Sequence, residues 1–453
     1  MWCKPMIPDH IFRAYDIRGI YGVDLTEEAA SRIGRALSTY LNGEGKEIIV
    51  GRDVRLSGNA LEGALIEGLL SGGCNIEDVG VVTTPILYFS TAHYGKDAGV
   101  MVTASHNPPE WNGFKIVTKR GFVCEGKGME TLKKIAIDGR FKYSTPGKLE
   151  KNTQILTNYM NYVLKSIHLE RGLKGVFDPG NGSCSLLIPN LCEDAGVSVV
   201  ALNSEPDGNF PAHPPEPTTE VLEELAKVVL KEKANFGAAF DGDGDRCLFV
   251  DDRGRIVSEN AILIILAEHY LKEHEGASIV YEVSCSMGVE ETIRSHRGKP
   301  VLSRVGHTYI SEEMRHEKAT FGGESSGHYY FAELYGFDDA VFASLKLAEI
   351  LSKRDERFSD IVDSVPIYPI FSQNFDCPDE KKFNVVDALK EEFEETGHQI
   401  LAIDGAKVID SNGWFLIRPS NTQPQIRLTV EAKTKEELEQ LSEFAERKLL
   451  EKI

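Results

Sequence analysis

The sequence predicts an α/β protein rich in parallel sheet, followed by a smaller C-terminal α+β domain. Strand–loop–helix units recur along most of the chain, which is the pattern of layered α/β structure. Short apolar runs such as Ala98-Gly99-Val100-Met101-Val102 deliver polar loops at their carboxyl ends, where open α/β sheets place ligands. Beyond a polar segment near 352–360 the pattern changes to strands followed by helices at 382–396 and 434–450.

The elements follow in order. Residues 26–41 carry Ala29, Ala30, Ile33, Leu37 and Tyr40 near helical spacing, after an acidic first turn of Glu27 and Glu28. Ile48-Ile49-Val50 reads as a buried strand ending at Gly51-Arg52-Asp53, and a helix over about 59–71 stops at Gly72-Gly73. The strand at 98–102 delivers Ser105. Lys174–Phe177 leads into Asp178-Pro179-Gly180-Asn181-Gly182 and a helix, while Asn235–Phe240 leads into an aspartate loop. Ser278–Val283 and Thr320–Phe321 repeat the arrangement. Glu205–Pro217 reads as a Pro-rich loop inside a domain, and Asp251–Gly254 as a turn closing the second unit. The last helix opens with Thr434 and Glu437 in capping-box spacing. These breaks, with a polar stretch at 139–153 that carries a Pro-Gly, divide the chain into 1–150, 151–253, 254–365 and 366–453.

At 453 residues the chain exceeds a single core. Its 42% hydrophobic and 26% charged content is that of a soluble globular protein. A formal net charge of −20 argues against nucleic acid or an anionic membrane as partner. Any phosphorylated substrate then needs a locally basic site. The eight cysteines (3, 74, 124, 184, 192, 247, 285 and 377) contain no CxxC pair or zinc-like spacing. No signal peptide or membrane-spanning apolar run is seen, so a reduced, cytoplasmic protein is expected.

Asp241-Gly242-Asp243-Gly244-Asp245, followed by Arg246, is the most informative stretch. Aspartates at every second position of an extended segment share one side, and the glycines let the backbone curl. Clustered carboxylates repel unless a cation neutralises them, and an oxygen-only set suits Mg²⁺ better than Zn²⁺. A solvated acidic turn is the plain alternative. An EF-hand is the sharper one, but Arg246 stands where that loop needs Gly, and Asp252 where it needs Glu. Arg246 suits an anion site instead.

Thr103-Ala104-Ser105-His106-Asn107-Pro108 supplies a hydroxyl after a buried strand. A phosphorylated Ser105 would bring phosphate oxygens to the metal. Adjacent side chains in an extended segment point apart, which places His106 poorly as a base for Ser105. His106 is nevertheless kept among the catalytic candidates. No Gly-x-Ser-x-Gly elbow supports a serine hydrolase. Lys115 lies in Asn112-Gly113-Phe114-Lys115-Ile116-Val117 and is either a surface lysine or a cation near the metal and phosphate. Arg18 is an equal candidate. Gly323-Glu324-Ser325-Ser326-Gly327-His328 offers a carboxylate and hydroxyls on a flexible turn, suited to sugar hydroxyls or a mere connector. Arg418-Pro419-Ser420-Asn421-Thr422-Gln423-Pro424 lies between two strands, with the parts of a phosphate cradle or of a simple hairpin.

Together these loops resemble the α-D-phosphohexomutase superfamily, particularly its phosphomannomutase/phosphoglucomutase members. The resemblance runs through Arg13–Gly19, Thr103–Pro108, Asn112–Val117, Asp241–Arg246, Gly306-His307, Gly323–His328 and Arg418–Pro424, essentially the whole chain. It implies three similar mixed-sheet α/β domains and a C-terminal α+β domain around a central cleft. The segments 1–150, 151–253, 254–365 and 366–453 would then carry the phosphoserine, metal, sugar and phosphate loops. Ser105 would be the phosphoserine, sharing one Mg²⁺ per subunit with Asp241, Asp243 and Asp245. Arg246 would sit beside it, while Arg18, Lys115 and His307 would assist proton and phosphoryl transfer. Glu324 and Ser326, framed by His328, would grip sugar hydroxyls; Arg418, Ser420, Asn421 and Thr422 would bind the other phosphate. Sugar phosphates would be the partners, with a hexose 1,6-bisphosphate as intermediate and activator.

The pattern is not matched throughout. Ser325 stands where bacterial phosphomannomutase/phosphoglucomutases commonly carry Met and phosphoglucosamine mutases Gln. Around Ser284-Cys285-Ser286 there is no basic residue of the kind some relatives place there. A phosphoglucosamine mutase is therefore the alternative, and a non-catalytic sugar-phosphate or metal binder the alternative of another class.

Overall fold

The structure is a computed structural model that describes residues 7–119, 121–122, 127–420 and 424–453. The chain forms two compact units, Met1–Glu259 with Ser326–Asp363, and Asn260–Ser325 with Ser364–Ile453. Mixed α/β sheets and a C-terminal α+β sheet make up the architecture, as the sequence predicts.

The first unit contains two complete mixed sheets. In the first, Ala98–Val102, Glu47–Arg52, Asn75–Val81 and Leu149–Lys151 run parallel in that order. Trp111–Thr118 joins antiparallel to Ala98–Val102, and Ile17–Ile20 antiparallel to Trp111–Thr118. The central strand Ala98–Val102 is buried along its length, as a strand covered on both faces must be. Beside this sheet the helix Glu27–Leu41 buries Ala29, Ala30, Ile33 and Leu37. Thr26 caps it, its hydroxyl accepting the N–H of Ala29 (3.2 Å), and Asn42 in the left-handed region ends it.

In the second sheet Val197–Ala201, Leu173–Asp178 and Phe236–Phe240 are parallel, and Cys247–Asp251 returns antiparallel to Phe236–Phe240. The turn at Asp251–Gly254 leads into Ile256–Val257, which adds an edge strand. The helix Ala340–Ser352, buried along its whole length, also belongs to this unit.

The second unit holds the parallel strands Lys299–Ser303, Ser278–Glu282 and Phe321–Gly323. It also holds the antiparallel sheet Ile370–Asp376, Gln425–Ala432, Gly413–Pro419, Ala406–Ile409 and Gln399–Leu401. The helices Asp379–Glu395 and Lys435–Leu450 contribute Leu389, Phe393, Ala445 and Leu449 to a core with Phe415, Ile417 and Leu428. The Thr434–Glu437 capping box is formed. Among the described residues, no helix is long and apolar enough to cross a membrane.

Candidate active site

The strand Ala98–Val102 ends in a turn that its own residues tie down. Thr103 Oγ1 accepts the N–H of Ser105 (2.9 Å), and the Ala104 carbonyl accepts the N–H of Asn107 (3.0 Å). Ser105 adopts φ +50°, a left-handed backbone uncommon outside glycine. Its hydroxyl, 1% exposed as a residue, donates to Asp241 Oδ2 at 2.8 Å. The two motifs, 136 positions apart in sequence, therefore meet within a hydrogen bond.

The acidic loop joins Phe236–Phe240 to Cys247–Asp251, with Phe240 opposite Cys247. It is a turn and not the extended segment that alternate spacing suggested. Asp241 Oδ1 accepts the backbone N–H groups of Gly244 (3.0 Å), Asp245 (3.1 Å) and Arg246 (3.2 Å), while Gly244 takes φ +78°. The carboxylates converge because the chain closes around Asp241. Gly242 permits the close approach to the serine loop, since a Cβ there would lie 2.9 Å from the Ser105 carbonyl oxygen.

Lys115 is a buried cation and not a surface lysine. Its ammonium, on the strand Trp111–Thr118, donates to Asp243 Oδ2 (2.8 Å) and Asp245 Oδ2 (2.5 Å). Burial works against its charge, but Asp243 and Asp245 outweigh that and push its pKa up. Thr84 also donates to Asp243 Oδ2 at 2.5 Å, and Thr103 Oγ1 lies 3.2 Å from the same oxygen. Burial and the neighbouring Asp245 and Asp243 push the Asp241 carboxyl well up. Burial opposes ionisation of Asp245 as well, yet Lys115, His328 and Arg246 hold it well below the usual carboxylate range.

Asp241, Asp243 and Asp245 each offer an oxygen within 4.8 Å of the others. Lys115 is one cation against three buried carboxylates, and Asp243 Oδ1 is buried without a hydrogen-bond partner among the described residues. A divalent ion fits this donor set on charge, and the all-oxygen chemistry fits Mg²⁺.

Cations and imidazoles surround the serine. Arg18 pairs with Asp16 (2.7 Å) and donates to the Ala104 carbonyl (3.2 Å) and Asn107 Oδ1 (2.5 Å). Arg246 Nε lies 3.3 Å from His328 Nε2, and His328 Nδ1 lies 2.8 Å from Ser326 Oγ. The left-handed turn at Ser105 overturns the expectation for His106, whose Nδ1 lies 3.3 Å from Ser105 Oγ. The charge of Arg246, then burial and Arg18, push the His106 imidazole far down, so it stays neutral.

The second unit holds the remaining candidates. Glu324 is buried and accepts the N–H of Gly306 (2.8 Å), which precedes His307 at the start of the helix His307–His316. Ser325 is not on a loose turn, because its N–H (3.2 Å) and hydroxyl (2.5 Å) donate to Glu282 Oε1. A basic residue does reach the Ser284 region, from far along the chain. Lys407 Nζ donates to the Val283 carbonyl at 2.7 Å, and burial pushes its pKa down to about 8 against the pull of Glu282. Arg418 and Ser420 stand at the end of Gly413–Pro419, opposite Gln425–Ala432, and Arg418 lies 3.7 Å from Asp404. The Ser420 N–H is engaged by the Gln425 carbonyl (2.8 Å) and is not an exposed cradle donor. Asn421 and Thr422 lie outside the described residues.

Sequence reasoning missed Thr84, Asp53 and Arg55. An Asp-x-Arg at the carboxyl end of the strand Glu47–Arg52, in the same sheet as Ala98–Val102, is the signal that could have found the last two.

Comparison with known proteins follows the same lines. Residues 9–142, 157–254 and 258–368 match the models of alpha/beta/alpha domains I, II and III of phosphoglucomutase/phosphomannomutase, and 373–448 match its C-terminal domain. A Pseudomonas putida phosphomannomutase/phosphoglucomutase is 38% identical over 448 residues, covering 98% of this chain and 96% of the relative. A Methanothermobacter thermautotrophicus protein named "Probable phosphoglucosamine mutase" is 36% identical over 440 residues, covering 96% of each. The crystal structure of a phosphoglucomutase/phosphomannomutase family protein from Burkholderia thailandensis aligns with a TM-score of 0.90 at 34% identity. It covers 98% of this chain and 97% of that one.

Proposed function

With this chain a member of the phosphoglucomutase/phosphomannomutase family, and hence a phosphohexomutase, we propose that it works through a phosphorylated Ser105 and a bound Mg²⁺. It interconverts hexose 6-phosphate and hexose 1-phosphate, with mannose and also glucose as the sugar, through a hexose 1,6-bisphosphate. The observation that carries the reading is the 2.8 Å contact between Ser105 Oγ and Asp241 Oδ2. A phosphoryl group on Oγ removes that donor and sets a dianion against three carboxylates, so the phosphorylated state needs a cation at Asp241, Asp243 and Asp245. Mg²⁺ supplies that charge and polarises the phosphoryl oxygens when bound.

The chain's own groups do the rest. Arg246 and Arg18 stabilise charge on the transferring phosphoryl group, and the ammonium of Lys115 lies against the carboxylates. The sugar hydroxyl gives up its proton as it attacks, and Ser105 Oγ gains one as its bond to phosphorus breaks. On the return transfer the Ser105 hydroxyl gives up that proton, and His106 Nδ1, 3.3 Å away, orients it. Lys115 and His307 serve the sugar's proton. Glu324 and Ser326, framed by His328, hold sugar hydroxyls, and Arg418, Ser420, Asn421 and Thr422 hold the phosphate that is not being transferred. A hexose 1,6-bisphosphate activates the enzyme by loading Ser105.

Intact mass of the protein primed with hexose 1,6-bisphosphate should carry a phosphoryl increment that Ser105→Ala removes along with turnover. Mutase activity retained in that variant overturns the mechanism. The 36% identical relative named "Probable phosphoglucosamine mutase" keeps glucosamine phosphate as a second reading. The ratio of kcat/KM for mannose, glucose and glucosamine 1-phosphates decides between them.

A further inference from the structure

Arg55 is 1% exposed, in the turn that follows the strand Glu47–Arg52. A guanidinium carries five N–H donors in one plane. Here Nε donates to Asp53 Oδ2 (3.0 Å), and Nη1 to the carbonyls of Pro108 (2.6 Å) and Trp111 (3.0 Å). Nη2 donates to the carbonyls of Ser105 (2.7 Å) and Asn107 (2.6 Å). Every donor is engaged, which leaves none for a substrate phosphate. The ring of Phe210 lies 5.2 Å from the guanidinium carbon.

The peptide groups on both sides of Ser105 lead back to this ion pair. The Ser105 carbonyl is held by Arg55 directly. Its N–H is held by Thr103 Oγ1, which itself donates to Asp53 Oδ2 at 2.7 Å. A non-glycine residue in the left-handed region is strained and persists only where its surroundings over-determine it. We propose that Arg55, with Asp53 as its counter-ion, is a positioning residue that fixes the left-handed backbone of Ser105 and so aims Oγ at the acidic loop. The inference rests on Ser105 being the phosphoryl carrier. Each transfer changes the charge on that side chain by nearly two, so a carrier loop needs a restraint that the reaction does not touch. An ion pair buried under the loop, with four of the guanidinium's five donors spent on backbone carbonyls and the fifth on Asp53, meets that need without adding net charge beside the metal site.

Arg55→Lys keeps the charge but gathers its donors on one nitrogen, which cannot span four carbonyls. The variant should fold and lose about 100-fold in kcat, the scale of a roughly 1 Å misplacement, with KM for the sugar phosphate changed by less than about threefold. Amide hydrogen exchange over 104–107 should be faster than in the parent protein. If kcat falls only in proportion to the folded fraction, with loop exchange unchanged, Arg55 is merely structural and the proposal fails. It also fails if kcat stays within about twofold of the parent. Should Arg55→Lys not fold, the charge-neutral pair Asp53→Asn with Arg55→Gln is read by the same criteria. Ser105→Ala separates the two ideas: full turnover there removes the carrier reading, while loop exchange in Arg55→Lys still reports the anchoring.

Discussion

Lys115 and Glu62 are charged side chains buried in the first unit, at 3% and 6% exposure. Lys115 meets two carboxylates and keeps its charge. Glu62 pairs with Arg52 at 3.0 Å, and its Oε1 is buried without a hydrogen bond among the described residues. Burial, then the charge of Asp78, pushes the Glu62 carboxyl up to about 7 despite Arg52. The folded protein therefore binds a proton that the unfolded chain releases above about 4.5. This contribution to stability is full below pH 4.5 and is lost as pH rises through about 7. The difference between those two values corresponds to about 3 kcal/mol. Glu62→Gln, neutral at every pH, should match the parent near pH 4 and be more stable near pH 8 by up to that amount. Denaturant titrations at the two pH values check this; an unchanged gap between them in the variant would show that Glu62 is not the titrating group.

At the scale of the element, regular structure was legible and the bends that carry chemistry were less so. The Thr434–Glu437 capping box and the amphipathic face of Glu27–Leu41 depend on neighbours within a few residues, so the sequence displays them. The left-handed Ser105 depends on Arg55 and Thr103, one of them 50 positions away, and no local pattern reveals that. His106 was misjudged for this reason. The aspartate loop was read correctly as an oxygen cluster and wrongly as extended, because capture of three N–H groups by Asp241 leaves no trace in the spacing. That turn supplies a prediction. A Cβ on Gly244 would lie 2.5 Å from Cys184 Sγ, and the backbone there is at φ +78°. Gly244→Ala should cost about 1–3 kcal/mol and displace the carboxylates, weakening metal binding and turnover together. Cys184→Ala in the same chain removes the collision but not the backbone strain, so recovery should be partial. Complete recovery would mean that the left-handed conformation contributes nothing. No loss in Gly244→Ala alone would mean that the turn is not rigid.

Across the whole molecule, the sequence conveyed the succession of α/β units and the changed tail, and the chain passes between its two compact units more than once. It leaves the first compact unit after Glu259, returns at Ser326 and leaves again after Asp363. Breaks read from composition run along the chain, whereas compactness is decided by pairings such as Tyr159 with Asp339, 180 positions apart. Lys407 beneath Val283 is the same lesson in the second unit. The return segment is integral to the first unit. Its helix Ala340–Ser352 has all 13 residues buried. Tyr159 donates to Asp339 Oδ2 (2.5 Å), Lys346 to the Ser166 carbonyl (3.0 Å) and Arg171 to the Leu351 carbonyl (3.0 Å). A chain ended after Glu259 keeps Ser105 and all three aspartates yet exposes the apolar bed of that helix and leaves Tyr159 and Arg171 short of buried partners. It should show no cooperative thermal transition and no Mg²⁺-dependent stabilisation. Joining 326–363 to residue 259 through a flexible Gly/Ser linker should restore both, because the acidic loop and the helix then sit in one continuous segment. Cooperative melting of the 1–259 chain with an Mg²⁺-dependent shift would make the return segment dispensable to the metal loop. Failure of the linked chain to bind Mg²⁺ would mean that the first unit does not hold the ion by itself.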